Sequence, residues 1–425
     1  MSIRLKLLGI LAFMPVIINA QTFSDYSLEN LTTTATYGEG ERQSNAQNAL
    51  AIRYANGEGG AAKNPSKAFY WYTQSANNGN QYAMYNLAYC YRDGKGTQKN
   101  NQQAAYWMEK SAQKYYANAC ITVGKWYYNG DGITQNYSKA ITYLKDAAFL
   151  GESEAMYYMA NCYAYGNGAP QDSTKAIFWA NRALDEGANY TYFLLGRMYR
   201  DGLSVAKHPA QAIVYFEDGC KENVISCYGE LGYGYERGLF GGTEDYVAAE
   251  DYYTKGAQAG STYCMEQLAG LYFYTTYNMV DLQKSAYWYK KLLDSRYDPK
   301  IAERLSAIYS YLEDYRSAHN LYVTRGEHGD PWGYNQLAYM YADGKGVSKD
   351  MNQALIYIDR AIELSPDDPN FLDSKGELLL KKGDIKDATK LWKQITKNYP
   401  LFYSEYNKEH KEHTVFYDYM TQQLK

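Results

Sequence analysis

Few residues of this 425-residue chain are spaced for chemistry. His410 and His413 lie three positions apart, beside Glu409 and Glu412, and a helix would place both imidazoles on one side, where they could ligate a metal ion. Two imidazoles without a third ligand do not make a zinc site, so we expect a solvated helix face there. We therefore predict no metal site and no cofactor.

Two Asp-Gly-Lys-Gly loops, at Asp93 and Asp343, could suggest bound calcium or phosphate. Calcium takes about six to eight oxygen ligands, and each loop offers one carboxylate. A turn that ends a helix is the better interpretation, because Gly readily adopts the left-handed backbone found at helix ends. The sequence also shows no nucleophile elbow, phosphate-binding loop, dinucleotide fingerprint or nucleophile–base pair, so we predict that the chain is not an enzyme.

The overall composition is that of a folded protein. Apolar residues make up 46% of the chain and charged residues 21%, which argues against disorder. The formal net charge is −4, and Lys and Arg are not clustered, so we expect no nucleic-acid partner.

The N-terminus carries a separate signal. Arg4 and Lys6 precede an apolar run from Leu7 to Ile18, and Ala20 ends a site of small residues, as in a secretory signal peptide cleaved after Ala20. A membrane anchor is the alternative, although a run of about a dozen residues is short for a bilayer. We predict no later transmembrane segment and expect a periplasmic or secreted protein.

The cysteines are even in number, which permits disulfides in an exported chain. None belongs to a Cys-x-x-Cys pair, so structural zinc and thioredoxin-type chemistry are poorly supported. The six are Cys90, Cys120, Cys162, Cys220, Cys227 and Cys264.

A Tyr-x-x-Gly motif that returns every 36 or 37 residues sets the positions of these side chains. Such a fixed period predicts a repeat solenoid, in which each repeat packs on its neighbours. The motif begins at Tyr54, Tyr91, Tyr127, Tyr163, Tyr199 and Tyr235, and it returns later at Tyr341.

Each repeat predicts two helices joined by a turn. In the second repeat Ala83, Leu87 and Tyr91 share one helical face, Gly94 ends the helix, and Trp107 lies on the facing stripe of a second helix. A small residue follows the core Leu or its equivalent, which lets the two helices approach closely. These small residues are Ala51, Ala88, Gly124, Ala160, Gly196, Gly232, Ala269, Ser306 and Ala338.

The repeated string Ala…Leu-Gly/Ala…Tyr-x-x-Gly-x-Gly…Lys-Ala…Trp/Tyr…Ala…Gly resembles the Sel-1-like repeat, a relative of the tetratricopeptide repeat with a longer loop between its helices. The resemblance covers about Ala46 to Asp368. It implies an all-α, right-handed α/α superhelix of about nine helix-turn-helix repeats. It also implies a non-catalytic adaptor or regulatory protein in envelope signalling, secretion or host contact, with a protein or peptide partner.

The repeats suggest how the chain is divided. We expect a signal peptide at 1–20, an N-terminal linker or cap at 21–45, the repeat solenoid at 46–368, a tetratricopeptide-like hairpin at 369–400 and a C-terminal capping helix at 401–425. Thr275 and Leu312 replace the loop Gly after Tyr272 and Tyr309, so we predict shorter loops at both places.

The candidate binding surface lies on the first helix of each repeat, which lines the concave groove in tetratricopeptide-like solenoids. Positions just before and two after the core Leu point away from the hairpin partner, because successive residues turn by about 100°. Tyr and Arg there suit protein recognition, and a merely solvated face is the alternative. The candidates are Asn86, Tyr89, Lys125, Tyr158, Asn161, Arg197, Glu230 and Tyr233, and Thr122 and Leu194 fill the same columns.

The resemblance also implies a disulfide between Cys220 and Cys227, because cysteine-rich relatives bridge a similar pair at nearly this spacing. Two small buried residues are the alternative, since Cys227 and Cys264 fall in the column that Ala83 occupies. We expect Cys90 and Cys162 to be buried thiols.

Three other functions stay open at this stage. Exposed Tyr and Trp side chains stack on sugar rings, so the groove could bind glycan or peptidoglycan. An immunity protein against an exported toxin also fits an envelope solenoid. An enzyme that acts on the cell wall or on β-lactams is the third possibility, although no nucleophile–base pair supports it.

Overall fold

The computed structural model describes residues 23–274 and 280–399, which form 21 α-helices and no strand. In chain order they are α1 (Leu28–Tyr37), α2 (Gly40–Asn56), α3 (Pro65–Asn77), α4 (Gln81–Asp93), α5 (Asn101–Ala112), α6 (Ala117–Asn129), α7 (Tyr137–Phe149), α8 (Ser153–Tyr165), α9 (Ser173–Asp185), α10 (Thr191–Asp201), α11 (Pro209–Lys221), α12 (Ser226–Glu236), α13 (Tyr246–Gln258), α14 (Thr262–Phe273), α15 (Leu282–Ser295), α16 (Pro299–Tyr311), α17 (Tyr315–Glu327), α18 (Pro331–Asp343), α19 (Met351–Leu364), α20 (Pro369–Lys382) and α21 (Ile385–Asn398). The expected signal peptide, the expected capping helix at 401–425 and His410 and His413 lie outside the described residues.

The helices fall into two compact units. Unit 1 ends at Asp245 and holds α1–α12, and unit 2 begins at Tyr246 and holds α13–α21. Within each unit every helix packs against the next one along the chain, and some first helices also touch, such as α8 with α10 and α18 with α20. This arrangement of stacked hairpins confirms the predicted all-α repeat fold. At the start of unit 1, α1 covers α2 with the buried side chains of Leu31 and Ala35.

A polar side chain starts most of the second helices and closes the loop before them. Asn136 shows the pattern: its Oδ1 accepts from the backbone N–H of Lys139 at 3.0 Å, which satisfies one of the unpaired donors at the helix start. Its own N–H donates to the carbonyl oxygen of Tyr127 at 2.8 Å. Asn100 and Asp172 act in the same way. The carbonyl of the repeat Tyr therefore ties the loop to the first helix.

Glycines end the first helices, as predicted. Gly166 follows α8 with φ +75°, and its N–H donates to the carbonyl of Cys162. Two residues later Gly168 has no room for a side chain, because a Cβ there would lie 2.4 Å from the carbonyl oxygen of Tyr137. The first Gly is required by the backbone conformation and the second by the close approach of the preceding hairpin.

The Asp-Gly-Lys-Gly loops are helix-ending turns. The Asp93 carboxylate accepts from Arg92 Nε at 3.0 Å and from Lys95 Nζ at 2.9 Å, both close in sequence. Asp343 accepts from Lys381 Nζ at 3.0 Å. In both loops the carboxylate is engaged by basic side chains.

The two loops without the usual Gly differ from each other. At Leu312 the loop is short, as predicted: α16 ends at Tyr311 and α17 begins at Tyr315. The prediction of a short loop after Tyr272 is wrong, because α14 ends at Phe273 and α15 begins only at Leu282. Tyr274 ends α14 in an extended conformation and donates its N–H to Gly270 at 3.0 Å, so the helix stops without a Gly. Thr275 itself lies outside the described residues.

The small residues after the core Leu lie where the two helices of a hairpin meet. Ala51, Ala88 and Ala160 are fully buried. At Gly196 a Cβ would come within 2.4 Å of the Phe216 ring on the paired helix α11. The ring therefore fills the space that a side chain at this position would need.

Candidate partner-binding surface

All eight candidate surface residues lie on first helices of unit 1, on α4, α6, α8, α10 and α12, and all are at least partly exposed. We call the exposed side chains of these five helices the first-helix surface. One residue of the same columns departs from expectation: Leu194 is only 2% exposed. Its apolar side chain packs into the core cluster of unit 1, so the column is not continuous at α10.

An aromatic and cationic group joins α4 to α6. The Tyr89 ring lies 6.1 Å from the ring of Trp126 and 5.0 Å from that of Tyr85, both in edge-to-face geometry. The Arg92 guanidinium lies 4.4 Å from the Tyr89 ring and 5.5 Å from the Trp126 ring. Cations at these distances are attracted to the ring faces, so Arg92 orders both rings.

An ion pair joins α6 to α8. Lys125 Nζ donates to Glu154 Oε1 at 2.6 Å and lies 5.9 Å from the centre of the Tyr158 ring. Partial burial of Lys125 disfavours its charge, but the hydrogen bond and attraction of Glu154 outweigh this and raise the lysine pKa. The ammonium group is therefore charged and held over Tyr158.

Tyrosines continue the surface along α8. The Tyr158 ring lies 5.0 Å from Tyr128 and 5.6 Å from Tyr157, and Tyr157 lies 4.7 Å from Tyr190. Burial raises the pKa of Tyr158 and raises that of Tyr128 to about 12, so both remain neutral phenols at physiological pH. Asn161 is turned onto its own helix, because its Nδ2 donates to the Tyr157 carbonyl at 3.3 Å.

A buried arginine organises the end of the surface at α10 and α12. Arg200 Nε and Nη2 donate to the two carboxylate oxygens of Asp201 at 2.7 and 3.0 Å, and its Nη1 donates to Glu230. Its guanidinium also lies 5.8 Å from the Tyr233 ring. Arg197 is less constrained: within the described chain its Nε has no hydrogen-bond partner, and the nearest carboxylate oxygen of Asp201 is 3.8 Å away.

Asn86 lies apart from the other candidates. It lines a cleft of about 600 Å³ between α2 and α4, together with Asn48, Arg53, Tyr82 and Tyr116. The structure thus separates the candidates into one cleft residue and a connected surface from α4 to α12.

Sequence reasoning missed several residues of the first-helix surface, among them Arg92, Glu154, Tyr157 and Arg200. They occupy positions five before, two before and five after the core Leu or Met. The same 100° rotation that selected the two columns used brings these positions within about 60° of them. Extending the rotation to the whole exposed arc would have found these residues.

The predicted disulfide is not formed. Cys227 is buried with a free thiol, and burial raises the pKa of that thiol. Its Sγ fills the space beside Gly219 on α11, where an added Cβ would lie 2.5 Å from the sulfur. Cys227 thus acts as the small buried residue that its column favoured. Cys90 and Cys162 are buried free thiols, as predicted.

Two searches of the described parts of the chain found nothing. No group of three or more His, Cys, Asp or Glu side chains in residues 23–274 and 280–399 is placed to hold a metal ion. Among the helices of these residues, none combines the length and apolar character needed to cross a bilayer.

The sequence pattern of the Sel1 repeat matches most of the chain. It covers residues 44–80, 81–116, 117–151, 153–187, 190–223, 226–261, 263–295 and 333–366. The hairpin of α16 and α17, with its short loop at Leu312, falls in the gap between the last two matches. No curated protein matches the chain.

Solved structures share the fold. A Sel1 repeat protein from Oxalobacter formigenes is 23% identical over 66% of this chain and 80% of its own, with a TM-score of 0.53. A protective antigen of uropathogenic Escherichia coli with an SLR fold is 25% identical over 83% and 82%, with a TM-score of 0.41. An immunity protein from Pseudomonas aeruginosa, Pa5087, is 20% identical over 52% and 83%, with a TM-score of 0.28.

Proposed function

Because this chain belongs to the Sel1 repeat family, whose members are protein-interaction scaffolds, we propose that it is an exported, non-catalytic scaffold that binds a protein or peptide on its first-helix surface. The proposal concerns unit 1, which holds all the candidate residues. The family is typically non-catalytic, in line with the absence of a nucleophile–base pair in the sequence.

One observation supports this proposal above the others: the candidate residues are joined to their neighbours across successive first helices. Tyr89 meets Trp126 between α4 and α6, and Lys125 meets Glu154 between α6 and α8. A solvated face of unrelated polar residues would not need such contacts. The joined side chains instead form one surface that crosses several repeats.

The chemistry of this surface suits a protein partner. Tyr, Trp and Arg are the residues that most often dominate binding energy at protein interfaces. Here the rings are already positioned by edge-to-face contacts and by Arg92, so less side-chain freedom is lost when a partner binds. Lys125, Arg92 and Arg197 add positive charge beside the rings, which favours a partner with acidic side chains.

The test is capture of a partner from an envelope extract by the immobilised chain. A triple variant, Tyr89→Ala, Tyr158→Ala and Arg197→Ala, is expected to lose the captured protein while its helical circular-dichroism signal is unchanged. A matched control removes three aromatic residues that are exposed on second helices: Tyr70→Ala, Tyr106→Ala and Phe178→Ala. These rings are 54%, 48% and 52% exposed, so the control removes comparable surface elsewhere.

The two variants make the outcome decisive. The proposal requires that the first-helix variant loses the partner and that the second-helix variant keeps it. Equal capture by both variants would contradict it. Sedimentation of the chain with purified peptidoglycan, unaffected by the first-helix substitutions, would favour a glycan ligand elsewhere on the protein.

Export is tested separately. Produced in a bacterial host with a periplasm, the chain is expected in the periplasmic or culture fraction with Gln21 as its first residue, because the sequence predicts cleavage after Ala20. N-terminal sequencing of the fractionated protein checks this. A chain that keeps residues 1–20 and stays in the cytoplasm would refute this part of the proposal.

A further inference from the structure

The cleft at the start of unit 1 is a separate feature from the first-helix surface described so far. Its volume of about 600 Å³ lies within the usual range for ligand sites, about 300–1,000 Å³. Its lining comes from α2, α4 and three other places: Phe23, the loop after α2 at Gly59, and Tyr116, which caps α6. Several distant parts of the sequence therefore converge on one concave site.

Asn48 carries the clearest sign that the cleft lacks a partner. Its Oδ1 is closed off from solvent, yet it accepts no hydrogen bond from any described residue. A buried acceptor without a donor is unfavourable, and such atoms are rare in folded proteins. An N–H donor that enters the cleft and bonds this oxygen would remove that cost.

Two further carboxamides stand near Asn48. Asn45 lies three residues earlier on α2, hence on the same side of the helix, and its Oδ1 accepts from Asn80 Nδ2 at 2.7 Å. Asn86 faces the cleft from α4. A carboxamide offers both a donor and an acceptor, as does a peptide group, so a row of Asn side chains matches the backbone of an extended peptide.

The rest of the lining is mostly apolar. Ala49 and Ile52 come from α2, and Tyr82 and Tyr116 form a wall in which the two rings meet edge to face at 5.0 Å. Such walls fit a hydrophobic side chain. They suit a saccharide less well, because a sugar would bring hydroxyl groups against Ala49 and Ile52 without partners for them.

The cleft is also held in shape before any ligand binds. Arg53, 8% exposed, donates through Nη2 to the Phe23 carbonyl at 2.8 Å and through Nη1 to the Gly59 carbonyl at 3.3 Å. These bonds tie the segment before α1 and the loop after α2 to α2 itself. A pre-formed site loses less conformational freedom on binding than a flexible one.

From these contacts we infer that the cleft between α2 and α4 anchors an extended peptide, whose backbone amides pair with Asn48 and Asn86 and whose apolar side chain enters between Ile52 and Tyr82. The inference deepens the proposed function and rests on it, since it names an extended peptide segment as what the scaffold holds at one end of unit 1. An N–H of the peptide donates to Asn48 Oδ1.

The probe is a fluorescein-labelled positional library of N-acetylated hexapeptide amides, read by fluorescence polarisation on the whole chain. Peptides with one large apolar residue are expected to bind, and Asn48→Ala and Asn86→Ala are each expected to weaken the selected peptide about tenfold, because each leaves a peptide amide unpartnered. Methylating the backbone nitrogens of that peptide should weaken it similarly. Asn77→Ala, an exposed residue of α3 outside the cleft, is the matched control and should bind as the unaltered chain.

Three results would overturn the inference: no hexapeptide binds, the N-methylated peptide binds as well as the parent, or chitin oligosaccharides bind in an Asn48-dependent way and peptides do not. Thermal unfolding of each variant shows whether a loss of binding reflects a loss of folding. Failure here leaves the proposed function standing if the triple variant at Tyr89, Tyr158 and Arg197 still loses its captured partner. If the cleft variants alone lose that partner, the first-helix surface is the part that fails.

Discussion

Lys125 Nζ donates to Glu154 Oε1 at 2.6 Å and thereby joins α6 to α8 on the exposed side of unit 1. The two residues are 29 positions apart, so the contact exists only because successive repeats stack. Their side chains are 34% and 43% exposed, which leaves the pair within reach of both solvent and a partner. This pair couples the stacking of the repeats to the charge pattern of the first-helix surface.

We expect this pair to contribute modestly to stability. A double-mutant cycle with Lys125→Met and Glu154→Gln should give a coupling of about 0.5–1 kcal/mol in the free energy of unfolding, since partly exposed pairs are screened by solvent. Urea denaturation measures it, and 1 M salt should reduce it. The pair of Lys221 and Asp218 on α11 is the control, and should couple less because Lys221 is 72% exposed. Equal coupling of the two pairs would contradict the prediction.

The close helix contact at Gly196 predicts a large effect from a small change. Gly196→Ala should lower the free energy of unfolding by about 1–3 kcal/mol, because a methyl group would meet the Phe216 ring at 2.4 Å in a packed core. Gly242→Ala is the matched control, since no atom lies within 4 Å of a Cβ built there. Differential scanning calorimetry compares the two variants, and an unchanged melting temperature for Gly196→Ala would show that α10 and α11 can separate at no cost.

Burial predicts that the cysteines of the core are unreactive in the folded chain. Burial raises the pKa of Cys90 to about 11 and those of Cys120 and Cys162 to about 12. At pH 8 roughly one Cys90 thiol in a thousand would then be ionised, and the thiolate is the reactive form. Mass spectrometry after treatment with iodoacetamide should find these three unlabelled in the native chain and labelled in urea. Rapid native labelling of Cys162 would mean that its surroundings open readily.

Asp201 predicts a loss of stability in acid. Its burial disfavours the carboxylate, but the hydrogen bonds and charge of Arg200 outweigh this and lower the pKa. A carboxylate whose pKa is lower in the folded state stabilises the fold above its unfolded pKa of about 3.9, and this contribution is lost as pH falls through the folded pKa. Asp201→Asn should therefore cost about 1 kcal/mol at pH 7, and less near pH 2.

Urea denaturation at the two pH values measures this difference. The exposed Asp185 on α9 provides the matched substitution, and Asp185→Asn should change stability little at either pH. A deficit of Asp201→Asn that stays constant from pH 7 to pH 2 would show that its ionisation does not contribute.

Much of the fold was predictable because its determinants are local. Tyr91, Gly94 and Asn100 lie within ten residues of one another and specify a helix end, a turn and a helix start through their own backbone contacts. The repeated period then specifies stacking, since each hairpin must cover its apolar face with the next. The loop after Tyr272 was mispredicted because Tyr274 can end a helix in an extended conformation, which no loss of Gly reveals.

The site was less predictable because its contacts join distant residues. Rotation by 100° per residue places Tyr89 and Lys125 on an exposed arc, but it does not show that Trp126 approaches one or that Glu154 binds the other. The spacing of Cys220 and Cys227 suggested a disulfide, while the space beside Gly219 holds the Cys227 thiol instead.

By itself the sequence determined the family, the helix order and the columns that face outward, because helix ends and periodicity depend on neighbours a few residues away. Only the tertiary structure decided which outward residues meet, that Leu194 is buried, and that Asn48 and Asn86 share one cleft. These depend on how helices from different repeats, and the segment at Phe23, pack side by side. A local pattern does not record that packing, since it contains no information on the distance between two helices.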